Sequence, residues 1–435
     1  MSNTIQQKIL QKLNIEQLNA MQKEAHQAIN KKANTLILSP TGSGKTLAFL
    51  LPVIENLDPK INEIQCLIMV PSRELAIQIE QVVRSMGSGF KVNAIYGGRT
   101  GAKDKMELKH KPAILIGTPG RIASHFRKES FDNQYIKTLI LDEFDKSLEV
   151  GFEEDMRDII YETPNISKRI LTSATFGVDI PEFVEFTDAT TLDYLKDAVT
   201  SQLEIKTIVS PTRDKLDTLL NTLCMVGNQP GIVFCNFKDT IQQVSDFLTK
   251  KGINHGCFNG GMEQIDREKT LIKFRNGTYQ LIIATDLASR GLDIPELKYI
   301  IHFELPHRSE EFTHRNGRTA RMNSDGTAYV IKWEKQALPD FITKSDVIKL
   351  KNHDLPQPSK WDTLFITGGR KDKISKGDIA GLFFKQGHLD NTQLGIIELQ
   401  SNCAYVAVQA DLVDQLLPKV NNTRLKKKKV RISLV

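Results

Sequence analysis

The chain has few of the residues that build covalent or metal scaffolds. Its five cysteines among 435 residues, Cys66, Cys224, Cys235, Cys257 and Cys403, show no Cys-x-x-Cys spacing, and most sit in apolar runs. Buried free thiols are expected, and zinc-finger or dithiol redox chemistry is excluded. The nine histidines form no ligand pair of metalloprotease or finger type. No apolar run approaches the roughly 20 residues that span a bilayer, and residues 1–11 are too polar for a signal peptide, so a cytoplasmic location is expected. What remains is a globular composition, 40% hydrophobic and 25% charged, on a chain long enough for two to three domains.

The most informative stretch is Leu36-Ile37-Leu38-Ser39-Pro40-Thr41-Gly42-Ser43-Gly44-Lys45-Thr46, an apolar strand running into a glycine-rich turn that ends in Lys-Thr. Gly42 and Gly44 let successive backbone N–H groups approach a polyphosphate, with Thr41 and Ser43 completing the cradle. Lys45 reaches the outer phosphates, and the Thr46 hydroxyl suits Mg²⁺. Ser39 stands where the strict pattern has glycine. A phosphate loop needs a second carboxylate site, and Thr138 to Leu141 is an apolar run followed directly by Asp142-Glu143-Phe144-Asp145. Carboxylates at a strand's C-terminal end lie where open α/β sheets bind ligands. Asp142 is the expected Mg²⁺ carboxylate and Glu143 the group that orients or deprotonates water.

Further blocks follow in order: Gln22; Pro71-Ser72-Arg73-Glu74-Leu75; Gly97-Gly98; Thr118-Pro119-Gly120-Arg121; Ser173-Ala174-Thr175; Val233-Phe234-Cys235-Asn236; Gln264 and Arg267; Ala284-Thr285-Asp286 to Arg290-Gly291-Leu292-Asp293; and His314-Arg315-Asn316-Gly317-Arg318-Thr319-Ala320-Arg321. From about residue 5 to residue 345 the chain resembles the DEAD-box ATP-dependent RNA helicases. That resemblance implies two tandem RecA-like parallel-sheet domains, with ATP and Mg²⁺ as cofactors. Gln22 resembles the adenine-reading glutamine, on a helix with an apolar face of Leu18, Met21, Ala25 and Ala28. Lys45, Thr46, Asp142 and Glu143 match the phosphate, metal and water groups. Arg318 and Arg321 resemble arginine fingers from the second domain, and Asp293 the ribose contact. Ser173, Thr175, Asp145 and His314 are implied to couple the nucleotide and RNA sites.

By the same resemblance, RNA is gripped through its backbone by Pro71, Ser72, Arg73, Gly97, Gly98, Arg99, Thr118, Pro119, Gly120 and Arg121, and in the second domain by Thr285 and Arg290. Phe144 replaces the alanine of the family's name, with core packing the expected role. Ile5 stands where an aromatic usually covers the adenine, and Asn316 and Ala320 replace the commoner isoleucine and glycine. A DNA helicase, or a non-catalytic RNA-binding assembly factor with a vestigial ATP site, is the alternative.

Charge is uneven: residues 361–435 hold 12 Lys and Arg against 7 Asp and Glu, while the rest hold 46 against 45. Periodicity there reads β-α-β-β-α-β, with strands at 364–367, 394–399, 404–408 and 430–435 and helices at 376–386 and 410–420, the order of an RRM-like α+β fold. The aromatic RNP signature is missing, since the third strand offers only Tyr405. Expected boundaries are 1–205, 206–350, a linker at 351–360, and 361–435. Gly368-Gly369-Arg370-Lys371-Asp372-Lys373-Ile374, Tyr405-Val406-Ala407-Val408 and the basic end resemble the RNA-binding domain of DbpA-type helicases. That branch implies large-subunit ribosomal RNA as partner, and a role in ribosome assembly. Arg370, Lys371, Lys373 and Lys376, with Lys426 to Lys429 and Arg431, are the candidate contacts.

Overall fold

Short aliphatic runs, each cut off by Gly, Pro, Ser or an acid, satisfy their backbone groups by pairing side by side. A computed structural model of the chain describes all residues but 1, 41, 99–100, 150, 176–178, 196–202, 287–296, 320–324, 343–344 and 352. Its first sheet contains β1 (Asn34–Leu38), β2 (Cys66–Met69), β3 (Val92–Ile95), β4 (Ile114–Gly117), β5 (Thr138–Leu141), β6 (Lys168–Ser173) and β7 (Thr190–Asp193). They lie in the order β3-β4-β2-β5-β6-β1-β7, and every pairing is parallel. Alternate residues enter two separate cores. Ile68 packs on one face with Phe49 and Ile79, and Leu67 and Met69 pack on the other with Leu139 and Met156.

The second sheet repeats the plan with β8 (Leu203–Ser210), β9 (Gly231–Phe234), β10 (Gly256–Phe258), β11 (Leu281–Ala284), β12 (Tyr299–His302), β13 (Gly326–Trp333) and β14 (Asp346–Ile348). Their order is β10-β11-β9-β12-β13-β8-β14, again parallel throughout. A smaller antiparallel sheet follows, from β15 (Trp361–Ile366), β16 (Leu394–Leu399) and β17 (Ala404–Gln409), with β18 (Arg424–Leu425) and β19 (Lys428–Lys429) as a separate hairpin before β20 (Ile432–Leu434). Its order, β16-β17-β15-β20, with helices Lys376–Lys385 and Val413–Val420, is the expected RRM-like α+β arrangement. The two RecA-like α/β sheets are likewise as expected. The first sheet and its helices form one compact unit, and the second sheet and the antiparallel sheet together form another.

Local chemistry moves some boundaries. The helix bearing Gln22 starts at Ala20, because the Asn19 side chain accepts from the Gln22 N–H while the Gln22 side chain accepts from Asn19, a reciprocal cap. Leu18 therefore precedes the helix, and Ile29 rather than Ala28 completes its buried face. The last strand covers Ile432–Leu434 rather than 430–435, and the basic run before it turns back on itself at Lys426, whose φ is +55°.

In the second unit, His302 is fully buried beside Phe234 and Phe312. Its Nε2 donates to Asn316 Oδ1 at 3.0 Å. Burial, with the Arg315 guanidinium nearby, drives its pKa down to about 3, so the ring is neutral. Asn316, where isoleucine is commoner in the resembled family, is thus the partner of a buried imidazole. Asn316→Ile should strand that donor and lower stability by about 1–3 kcal/mol. An unchanged urea midpoint in the second unit's transition would remove the pairing from the account.

Candidate functional site

All strands of the first sheet run the same way, so the loops leaving their C-terminal ends share one edge. Strand order divides that edge in two. The expected RNA-gripping loops follow β3, β4 and β2, three neighbours, and the phosphate loop, the Asp142-Glu143 pair and Ser173 follow β1, β5 and β6, the next three.

The phosphate loop leads into helix Lys45–Glu55, whose first N–H groups have no intrahelical acceptor. Gly42 and Gly44 have φ of +84° and +88°, left-handed values that favour glycine. At Gly44 a Cβ would also lie 2.4 Å from Gln22 Nε2. Lys45 Nζ folds back onto the Ser39 carbonyl and lies 2.9 Å from the Pro40 carbonyl oxygen. Gln22 is buried: its Nε2 donates to Gly44 O at 3.3 Å and its Oε1 accepts from Asn19 N at 3.0 Å. The amide keeps one further N–H and one lone pair for a base edge. Ile5 lies elsewhere, lining a cavity with Ile54, Met86 and Phe90 near the far end of helix Lys45–Glu55. It is not placed to cover a base at the phosphate loop.

Asp142 and Glu143 are arranged by one hydroxyl. Thr172, buried on β6, donates to Asp142 Oδ1, and its oxygen accepts the Glu143 N–H at 3.1 Å. Glu143 takes the left-handed backbone region, with φ +50°, an uncommon conformation for its residue type and one held here by neighbouring hydrogen bonds. Burial first, and then the negative charge of Glu143, push the Asp142 carboxyl up to about 6, against the opposing pull of Thr172 and Lys45. Three of the four expected coupling residues belong to the first unit. Ser173 Oγ lies 3.0 Å from Thr175 Oγ1, which donates to Asp145 Oδ2 at 2.9 Å, while the Ser173 carbonyl accepts from Ser39 N at 3.1 Å. Those three form a chain from the phosphate-loop strand to the acidic motif. His314 belongs to helix Ser309–Asn316 of the other unit.

On the other half of the edge, Ser72 caps helix Arg73–Met86 by accepting from Leu75 N at 3.2 Å, and Pro71 is buried behind it. Arg73 covers Gly97 and Gly98, so that a Cβ at Gly98 would meet its Nη1 at 2.7 Å. Thr118 and Pro119 open helix Pro119–Phe126, and a Cβ at Gly120 would meet Asp155 at 3.0 Å. Arg121 Nε and Nη2 donate to fully buried Asp104, at 2.7 and 2.6 Å, and His125 shares the same oxygen. Asp104 is a positioning residue that the sequence motifs did not single out.

Arg315, quoted within the last motif without a role of its own, is a second positioning residue, buried in the second unit. Its Nε is 2.7 Å from Asp286 Oδ1, its Nη1 is 2.7 Å from Glu304 O, and its Nη2 reaches Asn236 Oδ1 at 2.8 Å. The guanidinium thus ties together the ends of β9, β11 and β12. Its own carbonyl accepts from Arg318 N at 3.0 Å, which fixes where buried Arg318 begins. Half-buried Thr285 follows β11 directly. Thr41, Arg99, Arg290, Asp293 and Arg321 lie outside the described residues.

The candidate contacts of the antiparallel domain gather at one corner. Exposed Arg370, Lys371 and Lys373 border a short 3-10 turn, and ion pairs of 2.9 Å, Lys428 to Asp372 and Lys426 to Asp378, hold the basic hairpin beside it. Two of the four lysines are therefore paired, while Lys427 and Lys429 are exposed. Among the described residues, no group of His, Cys, Asp or Glu has metal-cluster geometry, and no helix is long and apolar enough to cross a membrane.

Three protein families match this chain: DEAD/DEAH box helicase over residues 19–183, helicase conserved C-terminal domain over 214–323, and DbpA RNA binding domain over 363–434. The ATP-dependent RNA helicase DbpA of Bacillus subtilis is 30% identical, across 93% of this chain and 91% of that one. The Escherichia coli protein of the same name is also 30% identical, across 95% and 94%. Saccharomyces cerevisiae Dbp5, solved bound to RNA and ADP BeF3, shares the fold, with a TM-score of 0.69 and 24% identity over 75% of this chain and 87% of that one.

Phe144 is 2% exposed and packs in the core cluster that holds Leu141 and Met156. The residue after the Asp142-Glu143 pair is therefore a packing residue. Phe144→Ala should cost about 3–5 kcal/mol in first-unit stability while the folded fraction keeps its activity per molecule. A thermally unaltered variant with changed RNA-stimulated turnover would give the ring a different role.

Proposed function

The chain belongs to the DbpA family of DEAD-box ATP-dependent RNA helicases, and from that premise we propose that it remodels structured RNA of the large ribosomal subunit, in the cytoplasm, during ribosome assembly. Its proposed parts are a first helicase domain at 1–205, a second at 206–350, a connection at 351–360 and an RNA-binding anchor at 361–435. The observation that carries the enzymatic reading is the shared sheet edge, where the phosphate loop, Asp142, Glu143 and Ser173 leave adjacent strands.

The oxygen donors fit a hard cation. Asp142 is a buried carboxylate forced toward its neutral form by desolvation and by Glu143, and a divalent ion beside it would restore the charged state. Asp142 and Thr46 are the proposed Mg²⁺ residues, and bound there the ion would neutralise phosphate charge. In the proposed mechanism, Lys45 and the loop N–H groups hold the phosphates. Gln22 reads the adenine with its remaining donor and acceptor, and Asp293 meets the ribose. Glu143, fixed through Thr172, orients the water. Arg318 and Arg321 supply guanidinium charge to the phosphoryl group as its charge spreads, so hydrolysis follows closure of the two domains.

RNA backbone is held along the β3-β4-β2 half of the edge and by Thr285 and Arg290, contacts that carry little sequence information. Target choice falls to the anchor, through Arg370, Lys371 and Lys373 with the neighbouring hairpin. Ser173, Thr175 and Asp145 leave β5 and β6, in the nucleotide half of the edge and next to β2 of the RNA half, and are the proposed coupling path, with His314 acting from the second domain.

Glu143→Gln should keep ATP and RNA binding but slow hydrolysis by at least about 10²-fold. Normal steady-state turnover in that variant would sink the assignment. A chain ending at residue 350 should keep basal ATPase and lose the preference for ribosomal over unrelated RNA, because tethering raises clamp concentration at the chosen site. Equal preference in the truncated and complete proteins, read as RNA-stimulated ATPase, would refute the anchor.

A further inference from the structure

One helix of the second unit begins on a ring where an oxygen is usual. Phe237 follows β9 through Cys235 and Asn236 and takes the cap position of helix Lys238–Lys250, in extended backbone at φ −123° and ψ 150°. That position favours Ser, Thr, Asp or Asn, whose side-chain oxygen accepts one of the first helical N–H groups. A phenyl ring accepts nothing, and this helix start has no side-chain cap. Nor does the ring pack inward in compensation. It is 62% exposed, and among the described residues of the second unit it is the one exposed aromatic side chain. A local rule broken without a gain in packing marks a position that function has to explain.

The mount of the ring, by contrast, is rigid. Glu304, just after β12, takes hold of the chain on both sides of it, accepting from Asn236 N at 2.6 Å and from Thr240 Oγ1 at 3.1 Å. Asn236 Nδ2 donates to Leu305 O at 3.0 Å, while its Oδ1 accepts from buried Arg315. The Phe237 carbonyl accepts from Ile241 N at 3.2 Å and so begins the helix. Only the side-chain torsions remain free, and ordering so short a side chain against a ligand costs little entropy.

Strand order sets the ring beside the proposed RNA path. β9 pairs with β11, whose loop opens with Thr285, and with β12, whose loop carries exposed His307 and Arg308. Asn236 Nδ2 reaches His307 Nε2 at 3.2 Å, which draws that loop alongside. Lys238, the next residue, is exposed as well. From the loop after β10, a Cβ at Gly261 would lie 3.3 Å from Lys238 Nζ, whereas one at Gly260 would meet nothing within 4 Å. The surroundings are thus open, and the loops on either side present cations.

We infer that Phe237 is a base-stacking platform for single-stranded RNA, against which one unpaired base of the bound strand lies flat. The contacts proposed for Thr285 and Arg290 hold sugar and phosphate. An apolar ring offers a phosphate nothing, but it suits the face of any base. In a duplex both faces of each base are covered by its neighbours, so the ring selects strand that has already opened and slows its re-pairing. The inference rests on the proposed placement of RNA along the Thr285 loop.

The test measures binding of an oligouridylate about ten nucleotides long to the full-length chain, with a non-hydrolysable ATP analogue and Mg²⁺ present. Phe237→Ala and Phe237→Leu should each weaken binding by about tenfold, and Phe237→Tyr and Phe237→Trp should retain it. Leucine keeps apolar bulk and removes the aromatic face. Because the ring is exposed, thermal midpoints should not move, and because no phosphate contact is lost, the salt slope should stay that of the parent. Equal affinity of the parent and Phe237→Leu overturns the stacking. In a second arm, single uridines are replaced in turn by 5-iodouridine, the complex is irradiated and the cross-linked peptide is mapped by mass spectrometry. Attachment at Phe237 is expected in one register. No attachment there in any register also overturns the stacking, and is the result expected of a ring that anchors a protein partner instead. Arg290→Ala tests the premise separately. If it lowers affinity and reduces the salt slope by about one while Phe237→Leu changes nothing, the stacking alone fails; if neither variant alters binding, the RNA path along this edge is rejected with it.

Discussion

Parallel pairing of the first sheet is the constraint on which the candidate chemistry depends. In such a sheet every strand must return to the same side before pairing again, and the crossover helices cover both faces. All strand ends that can carry chemistry are then forced onto one edge, and the order of strands alone decides which loops become neighbours. Here β3-β4-β2 is followed by β5-β6-β1. Loops far apart in sequence are sorted into a half rich in small residues and arginine and a half rich in phosphate-cradling and acidic groups. Ser173 and Thr175 leave β6, between the strands that carry the acidic motif and the phosphate loop. Their bonds to Ser39 and Asp145 follow from that position.

On that edge the protein keeps ionisable groups in strained company. Asp142 is desolvated and sits beside Glu143, and the Thr172 hydroxyl, donating to Asp142 and accepting from the Glu143 N–H, holds the pair in place. Arg315 is the counterpart in the second unit, a buried charge made tolerable by a carboxylate, a carbonyl and an amide oxygen on three different strand ends. Removing one partner from such a network leaves a buried charge uncompensated, which is more damaging than never having built it. Both networks therefore act as geometric fixtures, one for Glu143 and one for Arg318.

Much of the fold was legible because periodicity and punctuation agree. Four-residue apolar runs followed by Ser-Pro, Pro-Ser, Thr-Pro or Asp-Glu mark β1, β2, β4 and β5 within a residue or two. The three-strand neighbourhoods were not legible, since strand order depends on crossovers rather than on any local pattern. The same reason hides Asp104, Thr172 and Arg315's partners, each of which lies beyond the reach of local periodicity, from 11 to 79 residues from the group it meets. The basic run at 426–429 showed its charge but not its hairpin, because four lysines carry no alternation. Its turn is set by Asp372 and Asp378, some fifty residues earlier.

Departures from the resembled family's pattern become intelligible when their neighbours are included. Phe144 fills a core beneath the acidic motif, and Asn316 accepts a proton donor from a buried His302 that an isoleucine would leave stranded. Tyr405 follows the same logic at larger scale. Alone on its strand, it is too little for a base-stacking platform, and the sheet face it occupies is closed by polar pairs to the Arg275–Thr278 turn. A sheet that does not stack bases is free to serve as a mounting surface, and the charge that would meet RNA then has to lie elsewhere on the domain. Exposed lysines and arginines lie beside the 3-10 turn and the hairpin, where RNA contact is proposed.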